Sequence, residues 1–113
     1  MKSYTDIEQS KKLAEILPPE SADMEYMFLK KDGSKVSNVP FVKDGFEEPE
    51  CCYSFIPCWS LAALLEVLPS STLDSSNDHY YRLHCMERFT EWHDNPIDVC
   101  YEMIEKLHEQ KLL

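Results

Sequence analysis

Glycine is nearly missing from this chain, with two residues in 113. Unusual backbone geometry is therefore expected to be rare, and a glycine-rich loop able to cradle phosphates cannot be built. The sequence also lacks a G-x-G-x-x-G pattern, a P-loop and an H-E-x-x-H pair, the mechanical parts of nucleotide binding and of common zinc protease chemistry. No apolar run reaches the roughly 20 residues that a spanning helix needs. The opening Met1-Lys2-Ser3-Tyr4-Thr5-Asp6-Ile7-Glu8 is polar, without the apolar stretch or small-residue cleavage site of a secretory signal, which predicts a cytoplasmic protein. Cations are scarce as well. Eleven Lys and Arg against 21 Asp and Glu leave a formal charge of −10, which opposes binding to nucleic acid phosphates or anionic membranes.

What remains is globular in character. The hydrophobic fraction of 43% and aromatic fraction of 12% are too high for a disordered tail. Residues 1–113 are expected to form a single domain, in which folding buries roughly 65% of the surface that the unfolded chain exposes. Five cysteines, an odd number, read as reduced thiols in a cytoplasmic setting.

The most apolar stretch is Pro57-Cys58-Trp59-Ser60-Leu61-Ala62-Ala63-Leu64-Leu65-Glu66-Val67-Leu68-Pro69. Leu61, Leu64, Leu65 and Leu68 recur at helical spacing and little on the other side is polar, so a buried central helix is expected, opened near Pro57 and stopped by Pro69. Upstream, Thr5-Asp6-Ile7-Glu8 has the form of a capping box. It predicts a first helix to Leu17, ended by Pro18-Pro19. Met24 to Leu29 is β-prone, Asp32-Gly33 can supply a tight hairpin turn, and Lys35 to Val39 would be the return strand. A further turn is expected at Val42-Lys43-Asp44-Gly45-Phe46, and Cys51 to Ile56 reads as a third strand. Ser70 to Asp78 is rich in turn formers and predicts a mobile surface loop. His79 to Cys85 and Phe89 to His93 read as a hairpin turning at Met86-Glu87-Arg88, with a short helix through Met86 to Trp92 as the alternative.

Asp94-Asn95-Pro96-Ile97-Asp98 is the clearest local signal. Asn95 can cap, Pro96 fits the first helical position and Asp98 sets a carboxylate in the positively polarised first turn of a final helix. Ile97, Cys100, Tyr101, Ile104, Leu107 and His108 form its inner stripe, and Asp98, Glu102, Glu105 and Glu109 an acidic outer stripe. The predicted fold is α+β, an antiparallel sheet of four to five strands covered by three helices in the order α-β-β-(β)-α-β-β-α. Leu13-Ala14-Glu15-Ile16-Leu17-Pro18 and Leu64-Leu65-Glu66-Val67-Leu68-Pro69 match at four of six positions. An internal duplication and a shared helix ending both account for the match.

Reactive side chains are present without a reactive pattern. Cys51, Cys52, Cys58, His84 and Cys85 invite a metal site, yet no C-x-x-C or C-x-x-H pair occurs. Cys58 is the best thiol nucleophile by position, because a helix N-terminus lowers a thiol pKa, and His84 or His93 are the available bases. No cofactor, metal ligand or catalytic residue is assigned.

The segments 57–65 and 94–100, with Met103-Ile104-Glu105-Lys106-Leu107-His108-Glu109 after them, resemble a group of small uncharacterised proteins encoded in phages and mobile elements of gut anaerobes. An opening like Asp6-Ile7-Glu8-Gln9-Ser10-Lys11-Lys12-Leu13 also recurs there. The resemblance implies a cytoplasmic accessory protein of a mobile element and brings no functional residues with it. The expected function is binding or regulation of a host or phage protein, through an exposed sheet surface or the acidic stripe Asp98, Glu102, Glu105 and Glu109, with self-association as a further option. An acidic inhibitor that mimics nucleic acid is one alternative, and a small cysteine/histidine hydrolase or metal-binding protein is another.

Overall fold

The computed structural model describes residues 2–43 and 52–113. In chain order the elements are α1 (Ile7–Ile16), a 3-10 turn (Pro19–Ser21), β1 (Met24–Leu29), β2 (Phe41–Val42), β3 (Tyr53–Cys58), α2 (Leu61–Val67), β4 (Ser71–Ser75), β5 (Tyr81–Cys85), β6 (Arg88–Phe89) and α3 (Pro96–Glu109). The α+β class and the three helices match the sequence reading. The strands, however, divide into two antiparallel three-stranded sheets, ordered β2-β1-β3 and β4-β5-β6, rather than one sheet of four to five. The turn at Asp44-Gly45, the acidic stretch 47–50 and Cys51 lie outside the described residues.

Helix α3 joins the two halves. It packs against β5, α2 and α1, while α1 lies on β3. Asn95 caps it by accepting from the Ile97 N–H at 2.8 Å, and Pro96, Ile97, Val99, Cys100, Met103, Ile104 and Leu107 are buried along it. The most enclosed helix is thus α3 and not α2, which buries Ala63 and Leu64 and leaves Ala62 in water. Tyr101 is half-buried and His108, placed on the inner stripe from spacing, is exposed.

Several boundaries move for physical reasons. Pro57 does not open α2; it lies in β3 opposite Glu25. The even-numbered residues of β1 form the hydrogen-bonded pairs with β3, because Leu29, Met27 and Asp23 direct their polar backbone groups to the 34–43 side. Tyr53, Phe55 and Pro57 therefore face off the sheet, so the N–H that proline lacks is one that no strand needs, and Pro57 blocks that edge. Helix α2 starts instead with Ser60 as its cap, accepting from the Ala63 N–H at 3.2 Å. The first capping box is likewise one residue later than read, formed by Asp6 and Gln9, because Thr5 is withdrawn into the core.

The expected loop over 70–78 contains a strand. Ser71–Ser75 pairs in full with Tyr81–Cys85, since an edge strand takes its order from the neighbour's ladder more than from propensity. Conversely the return strand at 35–39 shrinks to one bridge, Phe28 to Lys35, beyond the turn at Gly33 with φ +74. The β5–β6 hairpin turns on Met86 and Glu87 alone, at φ 51 and 64, the geometry of a two-residue type I′ turn made without glycine. As for the matched helix endings, Leu17 and Leu68 both cap in extended conformation with their N–H bonded to Leu13 and Leu64. Each half runs helix then three strands, but the first strand is central in one sheet and an edge in the other.

Candidate functional site

Thr5 sits at a buried polar node. Its hydroxyl lies 2.8 Å from that of Ser10 and accepts from the Trp59 N–H at 3.1 Å, while its carbonyl accepts from the Tyr26 hydroxyl at 2.8 Å. The Cys58 thiol is within 3.5 Å of the Thr5 hydroxyl. Burial pushes that thiol up from its ordinary pKa, beyond what its hydrogen bonds return, and Cys58 ends a strand instead of starting a helix. The positively polarised terminus that would have activated it is not there. His93 is engaged with Glu102 and His84 with Phe89, so neither histidine meets Cys58. Among the described residues no group of three His, Cys, Asp or Glu converges that could hold a metal ion. Cys85 and Cys100 are buried, Cys52 is exposed, and burial alone pushes the Cys100 thiol up to about 12.

The acidic stripe of α3 is divided among separate tasks. Asp98 pairs with Lys2 at 2.8 Å and accepts from the Gln9 amide at 2.9 Å. Its burial raises the carboxyl pKa, and these two groups more than reverse that, leaving it below the usual range. Glu102 is similarly held low: burial acts against it, and His93 at 2.8 Å, the Glu91 N–H at 3.0 Å and Lys106 at 3.2 Å outweigh burial. Glu105 lies beside Tyr101, whose phenol is pushed up to about 12 by burial first and by that carboxylate second. Glu109 is exposed. Only the C-terminal end of the stripe is a solvated acidic surface.

The second sheet presents a face that spacing did not reveal. Along β5, Leu83 and Cys85 point into the core, so Arg82 and His84 share the outer face. The two-residue turn then brings Phe89 opposite His84. The His84 and Phe89 rings stack at 4.3 Å and 7°, and the Arg82 guanidinium lies 4.6 Å over Phe89 and 4.7 Å over Trp92. The contacts thus run as a chain from His84 to Phe89, from Phe89 to Arg82 and from Arg82 to Trp92. Asp74, opposite Arg82 across the ladder, lies 3.6 Å from it. Phe89 and Trp92 remain 48% and 44% exposed, with Tyr80 also exposed near the other end of β5.

Helix α3 supports this face from below. Glu102 takes the Glu91 N–H and the His93 ring, and Lys106 donates to the Phe89 carbonyl at 3.1 Å. The carboxylate expected to greet solvent thus holds the segment that displays Phe89 and Trp92. Sequence reasoning had Arg82 and His84 on one strand and Phe89 on its return. The missing information was the two-residue turn, which sets Phe89 opposite His84 and within reach of Arg82.

A shallow cavity of about 230 Å³ lies elsewhere, lined by Glu20, Ser21, Ala63, Glu66 and Val67. No helix is long and apolar enough to cross a membrane among the described residues. No protein-family model matches the chain, and neither a curated protein nor a solved structure does.

Proposed function

We propose that this chain is a non-enzymatic binding factor, an accessory protein of phage or mobile-element origin that acts by engaging another protein through the outer face of its second sheet. The observation that carries the reading is the His84–Phe89–Arg82–Trp92 stack with both aromatic rings close to half exposed. Arginine and aromatic residues are the types that dominate binding energy at protein interfaces. A guanidinium already held against two rings also loses little freedom on binding. The origin rests on the resemblance of 57–65, 94–100 and 103–109 to mobile-element proteins. The charge of −10 favours a basic partner and steers association more than it tightens it, with Glu105 and Glu109 as the stripe residues left to contribute.

The test compares proteins retained from host lysate by the wild type, by Trp92→Ala, by Phe89→Ala and by Lys11→Ala, the last on the exposed side of α1. A specific partner should be lost with the two aromatic variants and kept with the control. Retention indifferent to Trp92 and Phe89 would remove this face as the contact surface.

A further inference from the structure

The two sheets end differently. Pro57 closes the outer edge of β3, whereas β4 forms an edge without proline, which closes an open strand by removing its donor. Its polar backbone groups can be assigned. Tyr81 exchanges hydrogen bonds with His93, and Leu83 with Thr90, on the β6 side of β5. The ladder bonds between β4 and β5 therefore belong to the pairs Thr72 with His84 and Asp74 with Arg82. Ser71, Leu73 and Ser75 turn their N–H and C=O groups off the open edge, where no backbone partner meets them among the described residues.

We infer that this edge pairs with the β4 edge of a second copy of the chain, antiparallel and centred on Leu73. The strand is self-complementary in that register. Ser71 meets Ser75 of the second copy, Leu73 meets its own counterpart, and each of these three pairs exchanges two backbone hydrogen bonds. Thr72 then stands opposite Asp74 of the second copy, twice by symmetry, so a hydroxyl faces each carboxylate and no like charges are opposed. Leu73, opposite the buried Leu83, adds apolar contact beneath. The result is a continuous six-stranded sheet with both aromatic stacks on the same side. It does not depend on those stacks being a contact surface.

Sedimentation of the intact chain over a concentration series up to about 1 mM, which also registers weak association, should show a monomer–dimer equilibrium. Ionic strength should be physiological, so that the −10 charges are screened within about 8 Å. Thr72→Asp opposes like charges and should weaken the dimer about fivefold, while Thr72→Lys should tighten it by a similar factor, on the scale of directly opposed cross-strand pairs. Ser75→Pro removes an outward N–H without touching the ladder to β5, as Pro57 does for β3, and should abolish dimerisation. Thr72 is exposed, so its variants remain informative if Ser75→Pro disturbs folding, which circular dichroism would report. A wild type that stays monomeric throughout the series overturns the inference, and so does a dimer insensitive to both Thr72 substitutions.

Discussion

His93 and Glu102 are joined across the gap between the 90–95 segment and α3, with the imidazole Nε2 2.8 Å from the carboxylate. The same carboxylate takes the Glu91 N–H at 3.0 Å, so one side chain fixes both ends of the short stretch that carries Trp92. The partly buried Asp98, four residues earlier on the helix, does the equivalent for the N-terminal segment through Lys2.

Both carboxyls are held below their ordinary pKa, burial being outweighed by His93, the Glu91 N–H and Lys106 in one case and by Lys2 and Gln9 in the other. Their contribution to stability is complete above the unfolded values, about 4.3 for Glu and 3.9 for Asp. It is lost as pH falls through the lower folded values. Urea unfolding should therefore find Glu102→Gln and Asp98→Asn each less stable than wild type at pH 7, by about 1 kcal/mol. The differences should shrink below about pH 4 as the wild-type carboxyls protonate. Differences that stay constant down to pH 2.5, about a unit or more below both unfolded values, would show that these groups are not held as described.

Thr5→Val keeps the shape of the side chain and deletes the hydroxyl that accepts the buried Trp59 N–H and bonds Ser10. Leaving a buried donor unpaired costs about 1–3 kcal/mol. The midpoint of urea unfolding should fall accordingly, with no change in its slope. Ser10→Ala, which leaves the Trp59 N–H its acceptor, should cost less. Equal losses would place the importance of the node in Ser10 instead.

Burial raises the pKa of Cys58, Cys85 and Cys100, and thiolate is the reactive form. Alkylation of the native chain, mapped by peptide mass spectrometry, should leave these three sites largely unmodified and label them fully after unfolding. Rapid native labelling of Cys58 would contradict its enclosure by Thr5 and Tyr26.

Local chemistry was readable from sequence where it acts alone. Asn95 and Pro96 start α3 as their side chains dictate, and Leu17 and Leu68 end their helices before prolines. The reading failed where pairing decides. Ser71-Thr72-Leu73-Asp74-Ser75 has the composition of a loop and becomes a strand because β5 offers it a ladder. Pro57 looks like a helix start and is tolerated in β3 because its register turns the missing N–H outward. The stack depended on the same kind of information. A slip of one residue at Met86-Glu87 would have sent Phe89 to the opposite face from Arg82 and His84, and nothing in that glycine-free dipeptide announces a two-residue turn.

The Thr5 node also bears on the order in which the chain can fold as it is made. Thr5 leaves the ribosome well before Trp59 and Cys58, which complete its hydrogen bonds, and Lys2 waits longer still for Asp98. Synthesis at about 5–20 residues per second separates those events by seconds, far longer than the microseconds in which helices and hairpins form. The first sheet can pair once β3 has emerged, but α3, which both halves pack against, comes last. Until then the face that β5 turns toward α3 has no cover. Emergence of α3, and not any earlier step of translation, is what lets the two halves close on each other.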